Sequence, residues 1–140
     1  MFDSIFKTFL ILSITTASVG CGGSTDAPPL AQSEGSVSFE GKPLDGATVS
    51  FIPANGRPAS GFTDDNGHFV LTTSQEGDGA LIGAHTVTIT KTKPKAGQEN
   101  NAYAEHVSVI PKKYGDLKKS DLTATVKTGE KNEFSFELKK

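Results

Sequence analysis

The sequence is poor in cysteine and tryptophan, which excludes some common ways of stabilising a fold and of binding a ligand. Among its 140 residues there is no tryptophan and a single cysteine, Cys21. One cysteine excludes a disulfide within the chain, so a folded domain must be stabilised by packing. The net charge of −2 gives no electrostatic reason to bind nucleic acid, and we expect no nucleic-acid partner.

Motifs of catalytic and metal sites are also missing. The histidines His68, His85 and His106 have no acid at a metal-ligand spacing, and there is no His-Glu-x-x-His pair. No serine lies in a Gly-x-Ser-x-Gly turn. The sequence therefore predicts a protein that is not an enzyme, with no catalytic residue, no metal site and no cofactor.

The apolar run before Cys21 is typical of a cleaved signal peptide. Residues 6–14 are rich in Phe, Leu and Ile, small residues follow, and a stretch rich in Gly, Ser and Pro lies behind the cysteine. The run is too short for a permanent membrane span. This pattern indicates a bacterial lipoprotein signal peptide over residues 1–20, with lipidation of Cys21. We therefore expect an exported protein, anchored through Cys21 to a membrane of the cell envelope.

An ordinary secretory signal, in which Cys21 has no role, is the alternative interpretation. Lipoprotein signals usually have Leu, Val or Ile three residues before the cysteine, and this chain has Ser18 there. The first segment is also only weakly basic, because Asp3 offsets Lys7. Export is expected under either interpretation.

Residues after Cys21 divide into a tether and a folded domain. Residues 22–34 are almost without apolar content, so residues 21–34 are predicted to be the lipidated cysteine and a flexible tether, with a reach on the order of 20 Å. From Gly35 the residues alternate between apolar and polar, which is typical of β-strands with one buried face. The domain is predicted to span residues 35–140, with strands at 36–40, 47–52, 59–63, 68–72, 86–90, 122–127 and 134–139.

Seven short, regularly spaced strands without a helical period predict an all-β fold, a seven-stranded antiparallel β-sandwich. The turn at Asp64-Asp65-Asn66-Gly67 is explained by turn chemistry, since it lacks the later glutamate of a calcium loop. In the connection over residues 74–83, Leu81 or Ile82 is expected to cap the core. The predicted core consists of Val37, Phe39, Val49, Phe51, Phe69, Leu71, Val87, Ile89, Leu122, Val126, Phe134, Phe136 and Leu138.

Several segments resemble a known family. Four segments are similar to carboxypeptidase regulatory-like, transthyretin-like domains. They are Gly-Ser-Val-Ser-Phe at 35–39, Gly-Lys-Pro-Leu-Asp-Gly-Ala-Thr-Val at 41–49, Thr-Asp-Asp-Asn-Gly-His-Phe at 63–69 and Gly-Ala-His-Thr-Val-Thr-Ile at 83–89. Ile-Pro-Lys-Lys-Tyr-Gly-Asp at 110–116 resembles small lipoproteins of planctomycete-type bacteria. The resemblance implies a Greek-key, immunoglobulin-like fold and a module that accompanies enzymes. It identifies no ligand.

A long connection over residues 93–110 is the best candidate for a recognition site. It shows no clear element, and loops of this length are functional or disordered. The candidate binding residues are Asn100, Asn101, Tyr103, Glu105 and His106.

We expect a non-catalytic module for protein interaction, adhesion or surface assembly in the envelope. One alternative is a secreted domain that binds a small ligand or carbohydrate, although there is no Trp and Tyr103 and Tyr114 are the only tyrosines. A second is an accessory module to an envelope hydrolase. A transthyretin-like hydrolase is not expected, because Arg57 is the only arginine.

Overall fold

The computed structural model describes residues 28–140, and this part of the chain is built from β-strands. The signal peptide and the lipidated Cys21 that the sequence predicts lie outside the described residues. Helical structure within the described range is limited to one short 3-10 turn, η1 (Lys112–Gly115). The strands are β1 (Leu30–Ala31), β2 (Ser33–Phe39), β3 (Lys42–Pro43), β4 (Thr48–Pro53), β5 (Ala59–Phe62), β6 (His68–Val70), β7 (Ala80–Leu81), β8 (Gly83–Thr90), β9 (Thr92–Pro94), β10 (His106–Ser108), β11 (Thr123–Val126) and β12 (Asn132–Leu138).

Two sheets contain all the longer strands. In the first, the order is β11-β8-β4-β5, and all neighbours are antiparallel. In the second, β2 is central, with β12 on one side and the short strands β6 and β3 following one another along the other. Two smaller antiparallel pairs, β1 with β7 and β9 with β10, complete the described part. The prediction of an all-β protein with antiparallel sheets is confirmed.

The two larger sheets pack face to face around a cluster of aromatic rings. The ring of Phe51, on β4, is fully buried. Its centroid lies 5.1 Å from that of Phe134 and 6.1 Å from that of Phe136, both on β12 of the other sheet. Phe69, on β6, is 6.3 Å away. Such pairs add about 0.5–1.5 kcal/mol each beyond area burial. The arrangement is consistent with a β-sandwich.

The predicted core is confirmed with three adjustments and some additions. Phe39, Leu122 and Phe134 are only partly buried and pack against the core, whereas the other predicted residues are buried. Leu81, one of two residues expected to cap the core, is buried but lies outside the core cluster. The predicted core left out a further group of buried residues, which are alanines or lie in loops and turns; the alternation had placed Ala47 and Ala124 on the apolar face of their strands. These buried residues are Leu44, Ala47, Ala59, Ala80, Ile110, Tyr114 and Ala124.

One pairing differs from the antiparallel prediction. Strand β12 runs parallel to β2, in the register Asn132↔Ser33 through Leu138↔Phe39. The alternation of residues in β12 correctly predicts which side chains are buried. A period of two does not encode strand direction, however, because a strand buries the same face in either orientation.

The folded part also begins before the predicted domain boundary. Leu30 and Ala31 pair with β7, and Ser33 and Glu34 belong to β2, although residues 30–34 were assigned to the tether. The Ser33 hydroxyl donates to the Ala31 carbonyl at 2.9 Å. Strands pair through their backbones, so this segment joins the fold although its few apolar residues show no period.

The turn between β5 and β6 is held by its own side chains. One oxygen of Asp64, Oδ1, accepts hydrogen bonds from the backbone N–H groups of Asn66 and His68, both at 2.9 Å. Gly67 has φ of +75°, and its carbonyl accepts a bond from Val37 N–H at 2.8 Å. The Asp64 carboxylate therefore accepts hydrogen bonds from the backbone of its own turn, as is expected of Asp in a tight turn.

Candidate functional site

Residues 92–108 form a hairpin, which we call the β9–β10 arm. His106 pairs with Pro94, Val107 with Lys93, and Ser108 with Thr92. The sequence had shown no element in the connection over residues 93–110, and this prediction was wrong. The two strands are three residues each, which is too short for alternation to reveal them.

The loop at the end of the arm is ordered by hydrogen bonds. Lys95 N–H donates to the Glu105 carbonyl at 2.7 Å, and Asn101 N–H donates to the Gln98 carbonyl at 3.0 Å. The side-chain oxygen of Gln98 accepts from Glu105 N–H at 2.7 Å, and that of Asn101 accepts from Tyr103 N–H at 2.9 Å. These bonds give the backbone of the loop a defined path.

All five candidate binding residues lie on this arm, and all five are exposed. Asn101 supports the loop through its bond to Tyr103 N–H, and Glu105 forms an ion pair with Lys95 at 2.7 Å. Asn100 and His106 are presented to solvent near them. Tyr103 is 93% exposed, the highest value among the large hydrophobic side chains that are exposed in the described part. The arm therefore displays an aromatic ring on an ordered support.

The arm lies far from the point where the described chain begins. Strand β1 pairs with β7, which directly precedes the start of β8, whereas β9 follows the end of β8. The eight residues of β8 separate these two points by roughly 25 Å. The arm and residue 28 are therefore at opposite ends of the domain.

The histidines are dispersed rather than gathered into a site. His68 lies 3.9 Å from a Glu34 oxygen, and Lys131 binds the same carboxylate at 2.6 Å. The bond from Lys131 holds the pKa of Glu34 below its ordinary value. His85 is buried on β8, with Nε2 2.7 Å from the Leu81 carbonyl oxygen. No group of three or more His, Cys, Asp or Glu side chains suited to a metal ion occurs within residues 28–140.

Sequence reasoning missed a cavity at the end of the domain where the described chain begins. This cavity of about 380 Å³ is lined by Pro28, Leu30, Arg57, Thr73, Ser74 and Leu81. We call it the Arg57 cavity. Its residues come from four separate parts of the chain, so no local motif marks it. The one available signal was that Arg57 is the only arginine in the sequence.

Comparison with known proteins does not assign the chain to a family. No family model and no curated protein matches the sequence. Among solved structures, a 9R-lipoxygenase from Cyanothece PCC8801 is similar over 80% of this chain, with 12% identity and a TM-score of 0.38. The chain spans 16% of the length of that protein. Within residues 28–140 the structure contains no helix with the length and hydropathy needed to cross a bilayer.

Proposed function

We propose that this protein is a non-catalytic, lipid-anchored module of the cell envelope that binds another envelope protein through the β9–β10 arm. The observation that carries the proposal is Tyr103, 93% exposed on an ordered loop. Tyrosine offers a large amphipathic surface at low entropic cost and is enriched among residues that dominate binding energy. His106, Asn100 and the exposed Val107 supply polar and apolar contacts around it.

We also propose that the fold is the seven-stranded, Greek-key sandwich of carboxypeptidase regulatory-like, transthyretin-like domains. Support comes from β2, β4, β5, β6, β8, β11 and β12, which lie where the seven strands were predicted. On this proposal, the other five strands, each of two or three residues, are additions to that framework.

Anchoring through Cys21 would place the arm on the side facing away from the membrane. The tether reaches the domain at residue 28, and the arm lies roughly 25 Å away at the other end of β8. A partner in the surrounding envelope could then contact Tyr103 without approaching the lipid headgroups.

The anchor is tested by fractionating cells that express the wild type or Cys21→Ala. The wild-type protein is expected in the membrane fraction, with an intact mass that includes a lipid on residue 21. Cys21→Ala is expected to lose the lipid and the membrane association. Tyr103→Ala serves as the control, because it should stay in the membrane fraction. An unmodified, soluble wild-type chain would contradict anchoring and favour a freely secreted domain.

The arm is tested by placing a photo-crosslinking amino acid at position 103 in living cells. A discrete protein adduct is expected from this position. The same crosslinker at Phe62, which is 75% exposed on β5, is the matched control and should give no adduct of that mass.

Substitutions in the arm give a quantitative form of the same test. Tyr103→Ala combined with His106→Ala is expected to weaken binding of the crosslinked partner by about tenfold or more, because exposed aromatic anchors dominate interfaces. The unfolding midpoint should not move, since neither side chain is buried. Binding that is unchanged in the double variant would refute the role of the arm.

A further inference from the structure

We propose that the Arg57 cavity binds the phosphate group of an anionic membrane lipid. The choice of a lipid rests on the proposed function, because it assumes that Cys21 anchors the protein to a membrane. The cavity would then be a second point of contact with the same bilayer. It would orient the domain so that the β9–β10 arm faces away from the membrane surface.

The guanidinium group of Arg57 is suited to receive an anion. Its Nη1 donates a hydrogen bond to the hydroxyl of Ser74 at 3.0 Å, and both side chains line the cavity. Arg57 has no carboxylate partner among the ion pairs formed within residues 28–140. The remaining N–H groups of the guanidinium are placed to donate hydrogen bonds to two oxygens of one phosphate, in a bidentate arrangement.

The walls of the cavity distinguish a lipid from a free anion. The lining combines the apolar side chains of Pro28, Leu30 and Leu81 with the polar groups of Arg57, Thr73 and Ser74. A phospholipid presents this combination, since its phosphate is joined to a glycerol and acyl region. Inorganic phosphate would leave the apolar wall without a partner.

The position of the cavity agrees with a site at the membrane surface. Pro28, which lines it, follows Cys21 by seven positions in the sequence. Seven residues span at most about 25 Å, so a lipid on Cys21 would keep the cavity within that distance of the headgroups.

The carboxylate of Asp78 does not pair with Arg57. Asp78 lies in the same loop as Ser74, and its oxygens accept bonds from the N–H groups of Thr73 at 2.6 Å, Ser74 at 2.9 Å and Gln75 at 2.8 Å. Burial raises the pKa of Asp78, but these backbone bonds together hold it below its ordinary value. Its negative charge is therefore matched by backbone dipoles, and Arg57 remains available.

The test uses the mature chain with Cys21→Ser, so that no attached lipid contributes to binding. Sedimentation with vesicles of phosphatidylcholine, with and without phosphatidylglycerol, gives the partition coefficient. Binding is expected to require phosphatidylglycerol. Arg57→Gln, which keeps a hydrogen-bond donor for Ser74 but removes the charge, is expected to lower the partition coefficient about fivefold. Lys93→Gln, on the opposite end of the domain, is the matched loss of one charge and should have little effect.

Each other result overturns the proposal. An equal fall in the partition coefficient for Arg57→Gln and Lys93→Gln would mean that the vesicles attract any positive charge on the domain, without a specific site at Arg57. Equal binding to both kinds of vesicle would exclude a role for the lipid phosphate. If inorganic phosphate shifts the Arg57 side-chain resonance while vesicles do not bind, the cavity takes a free anion instead. Because every variant lacks Cys21, these outcomes are independent of the fractionation test of the anchor.

Discussion

Replacing Phe51 by alanine is expected to lower the free energy of unfolding by about 3–5 kcal/mol, enough to unfold many domains of this size. Phe51 is fully buried and is the one ring in the cluster that contacts Phe69, Phe134, Phe136 and His85. Its removal would open a cavity between the two sheets, which a packed core fills only in part. Urea denaturation followed by circular dichroism measures the change.

Phe62→Ala is the matched control, because it removes the same side chain from a site that is 75% exposed. This change should alter stability by no more than about 0.5 kcal/mol. Equal effects of the two substitutions would show that the sheets do not meet at Phe51, and would contradict the packing described above.

Gly67→Ala is expected to cost about 2–4 kcal/mol. The residue has φ of +75°, where an L side chain is strained. A Cβ at this position would also collide with the Val37 carbonyl oxygen, and backbone cannot move aside as a flexible side chain can. Relief of the collision would strain the hydrogen bond from Val37 N–H to the Gly67 carbonyl, which joins the turn to β2. The same denaturation experiment measures the loss.

Gly41→Ala separates the strain from the collision. Its φ of +79° is close to that of Gly67, but a Cβ there would meet no atom within 4 Å. We therefore expect a cost of about 1–2 kcal/mol from backbone conformation alone. A cost for Gly67→Ala no larger than this would mean that the turn can move away from β2, and that its contact with Val37 is not important for stability.

The sequence predicted the parts of the fold that depend on which face of a strand is buried. Val87 and Ile89 on β8, like Phe136 and Leu138 on β12, lie in the core as their alternation indicated. The direction of β12 could not be predicted, since direction is decided by long-range pairing with β2. Strands β1 and β7 have two residues each and were missed for lack of any period.

The two candidate sites differ in how much of them the sequence could reveal. The residues of the arm are contiguous, so Tyr103 and His106 could be selected from an unusually long connection. The hairpin itself depends on backbone bonds such as Lys95 N–H to the Glu105 carbonyl, which composition does not encode. The Arg57 cavity combines the first described residues, the loop before β5, the loop after β6 and strand β7. Only the folded chain brings those segments together.

The parallel pairing of β2 with β12 has a consequence for how the domain is completed during synthesis. Asn132 bonds to the Gln32 carbonyl across 100 positions of the sequence, and β2 is the centre of its sheet. Closing a loop of that length has an entropic cost before any contact forms, and contacts so distant in sequence slow folding. A nascent chain would therefore expose one side of β2 until β12 is available. The domain therefore stays open to chaperones until β12 has been synthesised.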